Sequence, residues 1–145
     1  MKALVTGGAG FIGSHVVDEL VRRTYEVVVY DNLSSGFRRH LNHAVDSGRA
    51  TIVEGDILDC ARLTSAMEGA STVFHLAANA DVRGGMTNTR VDLDQNIIGT
   101  HSVLEAMRTV GAKTIVFTSS ATVYGEPDRF PTPEDCPSLQ TSLYG

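Results

Sequence analysis

The stretch Thr6-Gly7-Gly8-Ala9-Gly10-Phe11-Ile12-Gly13 decides the fold of this 145-residue chain. Its glycines follow the spacing Gly-x-x-Gly-x-x-Gly between an apolar run, Ala3–Val5, and a segment with helical periodicity. Glycine permits a tight turn and lets main-chain N–H groups approach a pyrophosphate, and the helix N-terminus adds unpaired donors. This order predicts a dinucleotide-binding unit whose contacts come from Gly7, Gly10, Phe11, Ile12 and Gly13. The alternative is a strand–helix turn without a ligand.

An acidic residue follows the second predicted strand, about 20 residues after the glycine turn. Asp31 at this place can accept hydrogen bonds from both hydroxyls of an adenosine ribose. Its charge would repel a 2′-phosphate, so NAD is favoured over NADP. Arg38 and Arg39 stand nearby and are interpreted as solvated charges, with phosphate binding as the alternative. The alternative for Asp31 is a loop cap before Asn32.

Apolar, β-branched runs alternate with helical periodicity along the chain. Further strands are predicted at Glu26–Tyr30, Thr51–Val53, Thr72–Leu76 and Lys113–Thr118, and helices at Leu58–Met67 and Asp92–Val110. The residues expected on the inner helix faces are Ile12, Val16 and Leu20, then Ile97, Val103, Leu104 and Met107. Strands that alternate with helices predict an α/β fold with a Rossmann-like, doubly wound parallel sheet, here one domain over residues 1–145. The proline-rich residues after Gly125 predict an irregular loop.

Composition and charge exclude several classes of function. The formal net charge is −5 and no basic patch stands out, so nucleic acid is not an expected partner. No apolar run approaches the ~18 residues of a membrane span, and no signal peptide precedes the first strand pattern. Cys60 and Cys136 fit neither a disulfide framework nor a zinc motif, which predicts free thiols, a cytoplasmic location and no metal site.

Several segments, taken together in their order and spacing, resemble a known family. They are Thr6–Gly13, Tyr30–Leu33, Gly55–Ile57, His75–Ala78, Asn96–Thr100 and Thr118–Gly125. The pattern is similar to the nucleotide-sugar epimerase/dehydratase branch of the extended short-chain dehydrogenases/reductases, and within it to the 4-epimerases. The resemblance implies NAD as a tightly held cofactor, a nucleotide sugar (a UDP-hexose) as substrate, and an isomerase activity.

The resemblance also implies roles for individual residues. Asp56 and Ile57 would hold the adenine edge, and Leu76, Ala77 and Ala78 would pass under the pyrophosphate and the nicotinamide ribose. The other residues expected at the cofactor are Asn32, Asn96 and Thr118. The alternatives are a turn-capping role for Asp56 and a locally satisfied, buried amide for Asn96. His75 is expected to be a packed, hydrogen-bonded residue without a catalytic role.

The catalytic residues implied by the resemblance lie near the end of the chain. Ser120 matches the catalytic hydroxyl, Thr122 matches a hydroxyl that contacts the sugar, and Tyr144 matches the base of a Tyr-x-x-x-Lys motif. The tyrosinate would remove the proton of the sugar 4-hydroxyl while the C4 hydride passes to NAD and later returns to the other face. The alternative for Ser120 and Thr122 is a strand end whose hydroxyls satisfy main-chain groups.

The lysine of that motif and the substrate lobe are expected beyond Gly145. The chain is therefore expected to be the NAD-binding, N-terminal part of a longer enzyme, to bind NAD weakly and not to turn over by itself. A dehydratase of the same fold is the first alternative, but Ala121 and Thr122 stand where dehydratases usually carry an acid. A non-catalytic NAD-binding module is the second. The resemblance implies a homodimer that forms through the helix matching Asp92–Val110 and a helix after Tyr144, and dimerisation of this chain by itself is not expected. The identity of the base and sugar is left open.

Overall fold

The computed structural model describes residues 1–145, apart from the side chain of residue 86. Across this described chain the sheet has five strands: β1 Lys2–Thr6, β2 Glu26–Asp31, β3 Ala50–Glu54, β4 Thr72–His75 and β5 Thr114–Phe117. They are ordered β3-β2-β1-β4-β5, and every neighbouring pair is parallel. The strand order reverses between β1 and β4. The predicted doubly wound α/β fold is confirmed.

Helices connect the strands on both sides of the sheet. They are α1 Phe11–Arg22, α2 Asn42–Asp46, α3 Cys60–Met67, α4 Thr89–Asp92 and α5 Gly99–Val110. A π-helical segment, Leu93–Ile98, joins α4 to α5, and short 3₁₀ turns lie at Arg38–Leu41, Gly84–Met86 and Ala121–Tyr124. Within the described residues, no helix is long and apolar enough to span a membrane.

The core has two layers because both faces of the sheet are covered. On one face, Val5 and Val29 of the sheet pack with Val17 of α1 and Leu41. On the other face the core contains residues from β1, β2, β4, α3 and α5, among them Leu4, Val73, Leu63 and Val103. Alternate residues of β1 therefore contribute to opposite layers, which explains why its three central residues, Ala3, Leu4 and Val5, are all apolar.

The inner face predicted for α1 was partly wrong. Leu20 is buried, but Ile12 is 57% exposed, and the buried stripe contains Gly13, Val17 and Val21. The buried stripe is therefore rotated by about one residue, or 100°, from the predicted one. Ile12 lies instead at the wall of a cavity that is described below.

The inner face predicted for the long helix was also partly wrong. Val103 and Met107 are buried as predicted, whereas Ile97 is 63% and Leu104 is 47% exposed. The π segment inserts residues into the helical repeat, which rotates Ile97 away from the face of α5 that covers the sheet. Leu104 lies one residue, about 100°, from Val103 and faces outward.

Some boundaries differ from the sequence prediction by one or two residues. The α3 helix begins at Cys60 and not at Leu58, because the Asp59 carboxylate caps it by accepting the Arg62 N–H at 3.0 Å. The α5 helix ends as predicted at Gly111, which adopts a left-handed conformation with φ of 78°. After Gly125 the described chain contains neither helix nor strand, as predicted.

Candidate functional site

A cavity of about 440 Å³ opens at the carboxyl edge of the sheet, next to the point where the strand order reverses. Open α/β sheets bind ligands at this topological switch point. Many of the residues predicted from the sequence meet in its wall: Gly7, Gly10, Phe11, Ile12, Gly13, Asp31, Asn32, Ile57, Leu76, Ala77, Ala78 and Thr118. They come from the carboxyl ends of all five strands, so only the sheet brings them together.

The glycine turn forms the floor of this cavity, and two of its positions exclude a side chain. Gly7 has φ of +68°, and a Cβ there would lie 2.7 Å from the main-chain nitrogen of Ala77. A Cβ on Gly13 would collide with the carbonyl oxygen of Gly7. The turn therefore packs main chain against main chain, which brings the N-terminus of α1 close to the end of β4.

The start of α1 presents unpaired donors at the cavity. The helix begins at Phe11, and its N-cap residue Gly10 provides no side-chain cap. The N–H groups of Phe11, Ile12 and Gly13 consequently have no acceptor one turn earlier within the helix. The first turn contains no acidic residue that would compete for these donors. The arrangement is suited to an anion such as a pyrophosphate.

Asp31 holds the glycine turn to the loop after β2 and also lines the cavity. Its Oδ2 accepts the Ala9 N–H at 2.9 Å, and its Oδ1 accepts the Leu33 N–H at 2.8 Å. The residue is only 9% exposed. Each carboxylate oxygen has a second lone pair that can accept a ligand hydroxyl. The loop-capping role and the predicted ribose contact are therefore compatible.

The two arginines near this loop make contacts of their own. Arg38 forms an ion pair with Glu54 at 2.6 Å, and the guanidinium of Arg39 lies 4.1 Å from the centre of the Phe37 ring. Neither arginine is part of the cavity wall. These contacts support their interpretation as surface charges.

Several residues of the wall were not predicted from the sequence: Tyr30, Ser34, Ser35, Gly36, Gly55, Ala80 and Gln95. The loop with Ser34, Ser35 and Gly36 folds back over the glycine turn, where the Phe37 N–H donates to the carbonyl of Ala9 at 3.0 Å. A Cβ on Gly36 would lie 2.8 Å from the Cβ of Ala9. A run of small residues directly after the carboxyl end of β2 was the available signal.

Two residues predicted at the cofactor lie behind the wall and not in it. Asp56 accepts the Leu58 N–H and the side-chain amide of Asn32, both at 2.9 Å. Asn96 accepts the Asn79 N–H through its side-chain oxygen at 2.8 Å. These bonds match the turn-capping and local-satisfaction alternatives, and direct cofactor contacts for Asp56 and Asn96 stay predictions.

The hydroxyl residues after β5 are close to one another. Ser120 caps the 3₁₀ turn Ala121–Tyr124, and its Oγ accepts from the main-chain N–H and the hydroxyl of Thr122 at 3.2 and 3.0 Å. The last residues of the chain pack beside this turn: a Cβ on Gly145 would lie 2.8 Å from the carbonyl oxygen of Thr122. Tyr144 is half-buried in this segment. Among the described residues, no hydrogen bond joins Tyr144 to Ser120.

The sheet, the glycine turn and the carboxylate at its rim define a nucleotide-binding α/β domain of the Rossmann type. The model of the NAD dependent epimerase/dehydratase family matches residues 3–145, and the chain belongs to this family. The family resemblance inferred from the sequence is confirmed.

Several proteins of similar sequence are UDP-glucose 4-epimerases. The chain is 40% identical over 143 residues to a putative UDP-glucose 4-epimerase of Methanocaldococcus jannaschii, covering 98% of this chain and 46% of that protein. It is 41% identical over 147 residues to the UDP-glucose 4-epimerase of Mycolicibacterium smegmatis, covering 99% of this chain and 47% of that protein. The chain thus spans about half the length of these relatives.

Solved structures agree in fold. The UDP-glucose 4-epimerase of Brucella ovis in complex with NAD has a TM-score of 0.90 and 39% identity, covering 99% of this chain and 43% of that one. The UDP-glucose 4-epimerase of Thermotoga maritima with UDP-glucose has a TM-score of 0.91 and 41% identity, covering 100% of this chain and 47% of that one.

Proposed function

We propose that this chain binds NAD in the cavity at the switch point of the sheet and forms the dinucleotide-binding part of a nucleotide-sugar 4-epimerase that acts on a UDP-hexose. The observation that carries the proposal is the glycine turn, in which Gly7 and Gly13 exclude a Cβ while Asp31 lies at the rim. Relatives of this chain are UDP-glucose 4-epimerases, and the similar solved structure of the Brucella ovis enzyme contains NAD.

The residues of the cavity fit the parts of NAD. The free N–H groups at the start of α1 would bind the pyrophosphate, and the Asp31 carboxylate would accept from the adenosine ribose hydroxyls. Leu76, Ala77 and Thr118, at the ends of β4 and β5, would lie beside the nicotinamide half. Bound NAD supplies the acceptor for the hydride of the sugar C4.

The hydroxyl cluster would act on the sugar. The Ser120 oxygen accepts two hydrogen bonds from Thr122, which leaves its own proton free to be donated to a substrate oxygen. Thr122 would contact the sugar from the same turn. Tyr144, whose segment packs beside this turn, would remove the proton of the sugar 4-hydroxyl.

We expect the 145-residue chain to bind NAD without turning over. A phenol is a weak base at neutral pH unless a cation lies close to it. Among the described residues, no hydrogen bond joins the Tyr144 hydroxyl to a lysine or an arginine. Steady conversion of UDP-glucose by the purified chain would contradict this expectation.

Calorimetric titration with NAD and NADP is the direct test of the cofactor. We expect NAD to bind and NADP to bind more weakly, and the absence of binding of either would overturn the proposal. Incubation of an active form with UDP-glucose distinguishes the reactions, because a 4-epimerase forms UDP-galactose and a dehydratase forms a 4-keto-6-deoxy sugar that absorbs in alkali.

Homodimerisation of the longer enzyme and a cytoplasmic location belong to the same proposal. The helical segment 89–110 exposes Leu93, Ile97 and Leu104, which would provide an apolar surface for a second copy. Sedimentation analysis of the longer enzyme checks this association. The free thiols of Cys60 and Cys136 agree with a reducing compartment.

A further inference from the structure

A chain of hydrogen bonds runs through the side chain of His75, at the carboxyl end of β4. The ring Nδ1 lies 2.7 Å from the hydroxyl oxygen of Thr6, and Nε2 lies 2.9 Å from that of Thr100. His75 is only 1% exposed. The expectation of a packed, hydrogen-bonded histidine is confirmed, and the order of these bonds gives the residue a further role.

The direction of each bond follows from its neighbours. The Thr100 hydroxyl donates its one proton to the carbonyl oxygen of Asn96 at 2.6 Å, so its oxygen can only accept from the ring. Nε2 must therefore carry a proton. In a neutral ring Nδ1 is then the acceptor, and it receives the Thr6 hydroxyl. The Thr6 oxygen in turn accepts the Ala77 N–H at 3.3 Å.

The hydrogen bonds around His75 extend to three parts of the cavity wall. Thr6 directly precedes Gly7 in the glycine turn, and Ala77 belongs to the wall itself. The carbonyl oxygen of His75 accepts the N–H of Thr118, a third wall residue, at 3.2 Å. The ring thus links the glycine turn to β4 and α5, and the main-chain carbonyl of the same residue links β4 to β5.

We propose that His75, as the neutral tautomer protonated on Nε2, is a positioning residue that sets the distance between the glycine turn and the end of β4 for a dinucleotide phosphate. The ligand in this inference rests on the proposed function, whereas the order of the hydrogen bonds rests on geometry alone. A second proton on Nδ1 would leave the hydroxyl proton of the fully buried Thr6 without this acceptor. Burial also lowers the pKa of His75 to about 4, so the ring is neutral at pH 7.

Long-range ¹H–¹⁵N correlation spectra of the 145-residue chain test the tautomer. At pH 7 we expect a protonated-type nitrogen shift for Nε2 of His75 and an unprotonated-type shift for Nδ1. A Thr100→Val variant should reduce this preference, because it removes the acceptor of the Nε2 proton. A ring that carries its proton on Nδ1, or on both nitrogens, would overturn the proposed bond order.

NAD titration of two variants tests the positioning role. His75→Leu can make neither ring bond. Thr6→Val keeps the bond between the ring and Thr100 but loses the Thr6 bonds to Nδ1 and to the Ala77 N–H. Each should raise the Kd for NAD about tenfold, since one hydrogen bond of a buried group is worth roughly this factor. Thr6→Val keeps the test valid if His75→Leu does not fold.

The matched control is Leu63→Val, a small truncation in the core layer between α3 and the sheet, away from the three strand ends. It should lower the free energy of unfolding and leave the Kd for NAD unchanged. An unaltered Kd in a folded Thr6→Val variant would show that His75 only packs the core. If the unmodified chain fails to bind NAD, the proposed function and the ligand named here fail together, while the tautomer spectra still decide the bond order.

Discussion

The glycine turn and the hydroxyl turn after β5 lie at the same edge of the sheet but are held in different ways. The glycine turn packs main chain on main chain, and Gly7 and Gly13 admit no side chain. The hydroxyl turn is held by two bonds between Ser120 and Thr122 and by contact with the last residues of the chain. The first region is therefore preformed by the fold. The second depends on side chains near the surface.

This difference predicts that changes in the glycine turn affect folding and NAD binding together, whereas changes in the hydroxyl turn affect neither strongly. The following experiments are ordered from the largest expected effect to the smallest.

Gly13→Ala should have the largest effect. The added methyl would collide with the carbonyl oxygen of Gly7, so α1 must move away from β1. We expect a loss of about 3 kcal/mol in the free energy of unfolding and no detectable NAD binding. Urea unfolding and calorimetry measure the two effects. Gly48→Ala is the control, because Gly48 has a positive φ but no atom near its missing Cβ, and a loss of only about 1 kcal/mol with unchanged NAD affinity is expected.

The second prediction concerns pH. Burial lowers the pKa of His75 to about 4 in the folded chain, against about 6.5 when unfolded. Between pH 4 and 6.5 the unfolded chain binds more protons than the folded chain. The contribution of the neutral His75 ring to the free energy of unfolding is therefore fully present above pH 6.5 and is lost as the pH falls to 4. The loss amounts to roughly 3 kcal/mol.

Urea unfolding of the chain and of His75→Leu, at several pH values between 7 and 4, measures this contribution as the difference between the two pH slopes. The ring is hydrogen-bonded to Thr6 and Thr100 and packs against the ring of Phe117, and none of these side chains ionises in this range. Parallel pH slopes for the two proteins would count against a buried neutral histidine.

Asp31→Asn should weaken NAD binding by about 30-fold. The amide cannot accept from both the Ala9 and Leu33 N–H groups as the carboxylate does, and it removes the charge that disfavours a 2′-phosphate. The difference in affinity between NAD and NADP should shrink at the same time. Asp46→Asn, on the exposed side of α2, should change neither affinity. An undiminished preference for NAD in Asp31→Asn would show that other residues discriminate between NAD and NADP.

Ser120→Ala should have the smallest effect. The side chain is half-buried and caps only a 3₁₀ turn, so we expect a change of about 1 kcal/mol or less in the free energy of unfolding and an unchanged Kd for NAD. Thr118→Val, two residues earlier but in the cavity wall, should raise that Kd about threefold. If Ser120→Ala weakened NAD binding as much as Asp31→Asn, the two regions would not be independent.

The same contrast explains which features could be predicted from the sequence. The glycine spacing and the acid after β2 are local signals, and the structure places Gly7, Gly13 and Asp31 in one cavity wall. The wall residues Ser34, Ser35 and Gly36 carry only a weak signal, a run of small residues, and they reach the cavity only because their loop folds over Ala9. The outward orientation of Ile97 could not be foreseen, because the π segment interrupts the repeat on which a face is predicted.

By itself, the sequence determined the alternation of strands and helices, the cradle for a pyrophosphate and the family to which the chain belongs, because these depend on residue types at short spacings. Only the tertiary structure decided the tautomer of His75 and its place between the glycine turn and the ends of β4 and β5. Thr6 and His75 are 69 positions apart in the chain and meet because β1 and β4 are neighbours in the sheet. A hydrogen-bond direction is set by all partners of a buried group at once, and those partners are assembled only by the fold.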